Sequence, residues 1–179
     1  ANNNTAVGYY SLSENSTGAE NTAVGAESLE QVTTGNYNTA IGYRAGDSVT
    51  TGTYNVAMGR RALDAVTTNS FCVAIGSSAL ESNTAASMTA VGHNALTANS
   101  TGTLNTAVGT NALAANTTAN NNTAVGVLAL ATVSTSDANT AVGSYALNEN
   151  TAANNTAVGR LALKSNTTGT GGVAMGTGA

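Results

Sequence analysis

Apolar and polar residues alternate along this chain in a fixed order that returns every sixteen or seventeen positions. An apolar stretch of the type T-A-V-G is followed by a few mixed residues, a Leu, and a polar run of Ser, Thr, Asn and Gly. Aligned on the glycine, the copies fall at Gly8, Gly25, Gly42, Gly59, Gly76, Gly92, Gly109, Gly126, Gly143, Gly159 and Gly176. Repetition at a short fixed period is the mark of a solenoid, in which each unit packs on its neighbours. Both shortened steps lose their residue in the polar connectors, ESNTAAS (81–87) and NENTAAN (148–154). Turns tolerate a deletion, whereas a one-residue slip in a paired strand reverses every side chain. N-T-A-V-G is therefore predicted to be strand and the Ser/Thr/Asn/Gly run to be turn.

Each copy reads as a short strand, a tight bend at Gly, a second short strand ending in Leu, and a polar return. The Leu stands at 12, 29, 63, 80, 96, 113, 130, 147 and 163, with Gly46 as the internal exception. The Thr/Val/Gly/Asn content and the missing 3.6-residue apolar period oppose helix. The fold class expected is all-β: a β-solenoid, or parallel β-roll, of about eleven coils and on the order of 50 Å long at ~4.8 Å per coil. The repeat positions that define it are exemplified by Ala23, Val24, Gly25 and Leu29, by Ala74, Ile75, Gly76 and Leu80, by Ala107, Val108, Gly109 and Leu113, and by Ala124, Val125, Gly126 and Leu130.

Stacking makes each motif position a column. The residue two before the glycine is Ala in every copy, and the next is Val, Ile or Met. Adjacent strand residues point to opposite faces, so one column lines the coil interior and the other faces out. Both are apolar. An outward Val/Ile/Met stripe along a whole rod is the kind of patch monomers avoid, and a strict Ala stripe favours close sheet-to-sheet approach, where a larger side chain clashes. Either arrangement predicts a partner lying along the rod, and the expectation is a homotrimer with the Ala-bearing sheets around a common axis. Four before the glycine the residue is usually Asn (4, 21, 38, 55, 105, 122, 139, 155). Seven after it the column switches between Asn and Val in blocks, with Val32, Val49 and Val66 in succession. These Asn residues suit either amide ladders between coils or ordinary turns.

The motif NVAMG (55–59) and CVAIG (72–76) resembles the N-S-V-A-I-G repeats of YadA-like trimeric autotransporter adhesin heads. The connected form, NTAVGTNALAANTTANNNTAVG (105–126), is similar to repeats of phage tail-fibre proteins. The resemblance covers essentially all 179 residues. It implies trimers of left-handed parallel β-rolls and an extracellular place, on a bacterial surface or a virion tail fibre. The partner it implies besides the chain itself is a host-surface or matrix receptor. The period here is longer than that of the short adhesin-head repeats, and no coiled-coil stalk, membrane anchor or chaperone domain stands in these residues.

Composition narrows the function. Charged residues are 8% of the chain, with no Pro or Trp, and the net charge of −4 is spread out. Five cations build no surface for nucleic acid. The longest apolar-leaning run, Val125 to Val133, is far below the roughly twenty residues of a membrane helix. The lone Cys72 excludes an intrachain disulfide framework and sits in the Asn column as a buried spacer sooner than a reactive thiol. The single histidine, His93, follows Gly92 at a variable turn position and lacks the oriented partner a catalytic base needs. Glu30, Asp47, Asp64 and Glu81 stack in successive coils with Arg44, Arg60 and Arg61 nearby, a mixed-charge edge. No carboxylate recurs at a fixed column, so the calcium-binding G-G-x-G-x-D repeat is absent. Carboxylates clustered in a groove, as a polysaccharide-cleaving β-helix requires, are missing too. Sequons such as 99–101 carry little weight in so Asn- and Thr-rich a chain.

The expectation is a non-catalytic structural fibre shaft or adhesive head, serving as rigid spacer and surface attachment, without enzyme activity, cofactor or metal. The alternative is an ice- or mineral-binding solenoid, because Thr stands three before the glycine in eight copies. The 179 residues form one repeat domain, 1–179. Opening at ANNNTAVG and closing at VAMGTGA, mid-repeat and uncapped, it is expected to be a segment of a longer fibrous protein, since bare β-ends invite edge pairing.

Overall fold

The structure, a computed structural model, describes residues 2–179. Eleven three-residue strands, β1 (Thr5–Val7), β2 (Thr22–Val24), β3 (Thr39–Ile41), β4 (Val56–Met58), β5 (Val73–Ile75), β6 (Thr89–Val91), β7 (Thr106–Val108), β8 (Thr123–Val125), β9 (Thr140–Val142), β10 (Thr156–Val158) and β11 (Val173–Met175), stack in sequence order in one parallel sheet. No helix occurs among the described residues. The chain is a β-solenoid whose sheet forms one wall and whose turns form the rest.

Register is kept through both short coils: Val73 pairs with Thr89 and Thr140 with Thr156, motif position to motif position. The turn absorbs the deletion. In the seventeen-residue coil after β1, the N–H groups of Ser16, Thr17 and Gly18 converge on the Thr33 carbonyl; in the shortened coil after β5, only the Thr84 N–H meets the equivalent Ser100 carbonyl.

The motif glycine is required by a close approach. Gly109 has φ +136°, and a Cβ there would lie 2.5 Å from the carbonyl oxygen of Gly126 in the next coil. Backbones touch glycine to glycine along the rod, in a conformation L-residues rarely adopt.

The expected second strand is not present. The Leu-bearing segment is a run of turns, and the Leu residues of the column are left-handed, with φ from 46° at Leu163 to 59° at Leu63. Left-handed Leu is unfavourable alone. It is held because each Leu N–H donates to a carbonyl of the next coil, as Leu63 to Ala79 and Leu113 to Ala129, while its side chain fills the core. Gly46 occupies this position at φ 61° without strain but contributes no side chain.

The core has two Ala columns and one Leu column. Ala23, Ala40, Ala57, Ala74, Ala90, Ala107, Ala124, Ala141 and Ala157 of the strands are buried, as are Ala45, Ala62, Ala79 and their successors three after each glycine. Leu29, Leu80, Leu113 and Leu130 lie between them. The strand Ala therefore points into its own coil and cannot form a contact between chains; the expectation of close sheet-to-sheet approach through Ala is overturned. Ala is strict because the coil is thin, with the opposite wall also Ala.

Candidate functional site

Each T-A-V strand sends Ala inward and its other two side chains outward. The outward face thus has two columns. One is Thr5, Thr22, Thr39, Val56, Val73, Thr89, Thr106, Thr123, Thr140, Thr156 and Val173; the other is Val7, Val24, Ile41, Met58, Ile75, Val91, Val108, Val125, Val142, Val158 and Met175. The second column is exposed or half-buried throughout, with Ile41, Met58, Ile75, Val108, Val125 and Val142 at 36–39%. Neither column holds a charge in any of the eleven coils. Val24, Ile75, Val108 and Val125, read from the sequence only as one of two alternating columns, belong to this surface, whereas Ala23, Ala74, Ala107, Ala124 and the four Leu residues beside them belong to the core.

The face has two margins. On the side preceding the strands stand residues five before each glycine, all left-handed, among them Tyr37, Tyr54 and Phe71. Their rings form a ladder: Tyr37 and Tyr54 are 4.7 Å apart between centroids and 8° from parallel, Tyr54 and Phe71 5.5 Å and 5°. Sequence reasoning missed this ladder, although three aromatic residues at a seventeen-residue interval were there to signal it. On the other side stands the residue after each glycine, including Tyr43, Arg60, Ser77 and His93.

The mixed-charge edge is built as an interleaved lattice. Arg44 Nη2 reaches Asp47 at 2.6 Å, Asp64 at 3.7 Å, and its Nε lies 3.6 Å from Glu27; Arg61 pairs with Asp64 at 2.9 Å and with Glu81 at 2.5 Å. Asp47 and Asp64 are buried. The hydrogen bonds that Arg44 donates to Asp47, with the nearby Asp64 charge, raise the Arg44 pKa above its ordinary value. Glu30 is pushed up, first by burial and then by Asp47, Glu27 and Glu14. Arg60 makes no ion pair among the described residues. Farther along, Glu149 is lowered by a hydrogen bond from Ser165 and by Lys164.

His93 is exposed, with Nδ1 3.2 Å from the Ser77 carbonyl and no carboxylate partner. Cys72 is buried, its thiol pushed up by burial and 3.4 Å from the Ala85 carbonyl. Among the described residues there is no concave pocket, no group of three His, Cys, Asp or Glu side chains placed to hold a metal, and no helix long and apolar enough to cross a membrane.

Inside the coil, the amide columns are ladders. Seven after the glycine, Asn99 donates to Asn83 at 2.7 Å and Asn116 to Asn99 at 2.6 Å; Asn166 donates to Asn150 at 2.9 Å. Four before the glycine, each Asn Oδ1 accepts the N–H of its successor, as Asn21 from Asn38 at 2.9 Å and Asn105 from Asn122 at 2.9 Å. In Asn4, Asn21, Asn38, Asn55, Asn105 and Asn122 the Nδ2 donates to a turn carbonyl of the next coil, as Asn38 to Gly52 at 2.8 Å, whereas Asn139 and Asn155 donate to the turn that precedes them. Both expected roles are present: the amides ladder between coils, and those seven after the glycine also donate to a carbonyl of their own turn, as Asn99 to Gly102 at 3.0 Å.

No family model, curated protein or solved structure matches the chain.

Proposed function

We propose that this chain is a rigid, non-catalytic rod that works by lateral association of its own copies, as a homotrimer, within a fibre shaft or adhesive head at a cell surface or on a virion tail fibre. The observation that supports this reading is the charge-free outward face of Thr and Val/Ile/Met columns, unbroken over eleven coils. Apolar side chains exposed in register over that length are stabilised by a partner of the same length and repeat. A second copy has both.

Sedimentation velocity tests the reading. The 17.5 kDa chain is expected to run as a trimer, and the double variant Val108→Glu, Val125→Glu to run as a folded monomer, because two carboxylates in the apolar contact would be desolvated without partners. A wild-type chain that is folded and monomeric at micromolar concentration overturns it.

A second reading, an ice- or mineral-binding face, is favoured by the outward array of eight Thr side chains on in-register strands. Thermal hysteresis from a monomeric chain selects it over the rod bundle.

A further inference from the structure

The Thr and aliphatic columns do not by themselves make an interface of ordinary size. Eleven strands at ~4.8 Å give a length of roughly 50 Å, and two columns ~7 Å apart give a width of roughly 10 Å with their side chains. This is about 500 Å², below the ~800 Å² per partner of a typical stable complex. Association through this face therefore has to recruit its margins.

The margins differ, and the difference has a direction. Rods grouped around a common axis with their faces inward and pointing the same way set one margin of each against the opposite margin of the next; a rod pointing the opposite way sets like margins together. In a parallel arrangement at equal height, Tyr37, Tyr54 and Phe71 of one copy meet Tyr43, Arg60 and Ser77 of the next. The chemistry of these positions is complementary. Both ring faces of Tyr54 are taken by Tyr37 and Phe71, so its edge and hydroxyl are what it offers. Arg60, exposed and without a carboxylate of its own, has guanidinium donors for that hydroxyl. Phe71, the most exposed ring of the ladder at 62%, meets a small Ser. A slip of one coil in one direction sets Arg60 against Phe71, which has no oxygen to accept from it; a slip in the other direction gives Arg60 the Tyr37 hydroxyl but sets Phe71 against His93 in place of the small Ser77.

We propose that the Tyr37–Tyr54–Phe71 ladder is an interchain contact that docks on Tyr43, Arg60 and Ser77 of a second copy, and that it sets the parallel polarity and axial register of the bundle. This rests on the self-association reading above.

The test is thiol cross-linking with a short bis-maleimide, spanning roughly 10 Å where a disulfide spans less, in the full chain with the buried Cys72 replaced by Ala. The pair Tyr54→Cys, Arg60→Cys is expected to be joined into a closed covalent oligomer by the cross-linker, because two long side chains meeting at their tips hold their Cα atoms beyond the ~7 Å limit of a disulfide but within the reach of the reagent. Neither single variant is expected to link. Linking by Tyr54→Cys alone means that like margins meet, and overturns the parallel polarity. Linking by Tyr54→Cys, Ser77→Cys in place of the first pair overturns the register. An oligomer in which no pair links overturns the margin contact while leaving self-association in place. A monomer in sedimentation overturns the self-association reading itself. As an independent readout, Tyr54→Ser is expected to raise the dissociation constant at least tenfold with the coil's circular dichroism unchanged; an unchanged dissociation constant overturns the contact.

Discussion

Coils 2–4, which start at β2–β4, and coils 5–7, which start at β5–β7, share a backbone and differ in how the same interior column is filled. Seven after the glycine, the first group has Val32, Val49 and Val66; the second has Asn83, Asn99 and Asn116. All six are buried. The contrast follows from a single turn carbonyl that each coil buries. In the Val group that carbonyl is served from the preceding motif: Asn21 donates to Gly35, Asn38 to Gly52, Asn55 to Asn69. Where the preceding motif has Cys72 or Met88 instead of Asn, the Asn seven after the glycine takes over, Asn83 donating to Ala85 and Asn99 to Gly102. Two columns thus answer for one acceptor, and a buried carbonyl left alone would cost ~1–3 kcal/mol.

Ladder ends show the same rule in reverse. Asn15 and Asn116 are each followed in the column by Val, Val32 and Val133, and the Oδ1 of both lacks a donor. Asn99, followed by Asn116, has one. The ladder runs one way, with each coil's amide donating to the coil before.

The largest expected effect sharpens this contrast by making one substitution in two places. Val49→Asn puts an amide between two Val residues, losing apolar burial and leaving its oxygen without a donor, a destabilisation of ~3–4 kcal/mol. Val133→Asn makes the same change between Asn116 and Asn150, where the new Nδ2 meets the orphaned Asn116 oxygen and the new oxygen accepts from Asn150. It is expected to fall within ~1 kcal/mol of wild type, the gained hydrogen bonds offsetting the lost apolar burial. Urea unfolding of both variants checks it, and equal losses would sink the ladder account.

Next in size is a test of the shared acceptor. Asn38→Val removes the donor to Gly52 and the acceptor for the Asn55 N–H, with Val49 unable to substitute; ~2–4 kcal/mol is expected. Asn105→Val removes the acceptor for the Asn122 N–H, but Asn116 still donates to Ala119, so ~1–2 kcal/mol is expected. If Asn105→Val proves as costly as Asn38→Val by the same unfolding measurement, the second column gives no cover.

The smallest effect belongs to the charged edge, which lies on the Val-lined coils. The folded-state pKa of Glu30 is raised by burial and by neighbouring carboxylates. The folded protein therefore holds that proton more tightly than the unfolded chain, and ionisation of Glu30 on raising the pH through the carboxylate range removes stability. Glu30→Gln is expected to raise the melting temperature slightly at neutral pH. The gain should vanish at a pH about one unit below the carboxylate range, where wild-type Glu30 is protonated as well. Solvent screening keeps the effect small, and a gain that persists in acid would contradict the sign.

Much of the fold is legible in the sequence because repetition does the alignment: eleven glycines locate the strands, and two deletions confined to polar connectors locate the turns. The Asn and Val blocks are legible as columns, since like side chains stack on like. The Leu segment was misread. An apolar residue following a bend suggests extended chain, and only the inter-coil hydrogen bonds reveal that Leu63 and Leu113 are held left-handed. For the candidate site, Ala and Val alternate, so the sequence establishes that one column must face out and that both are apolar. Which one does so depends on the way Gly and its following turn swing the chain, a matter of coil closure in three dimensions. The same closure placed Tyr37 and Arg60 on opposite margins of one face, a relation that spacing along the chain does not express. Sequence by itself determined the period, the register and the presence of one outward apolar column; tertiary structure decided which column that is, because direction is a property of the closed coil and not of any one repeat.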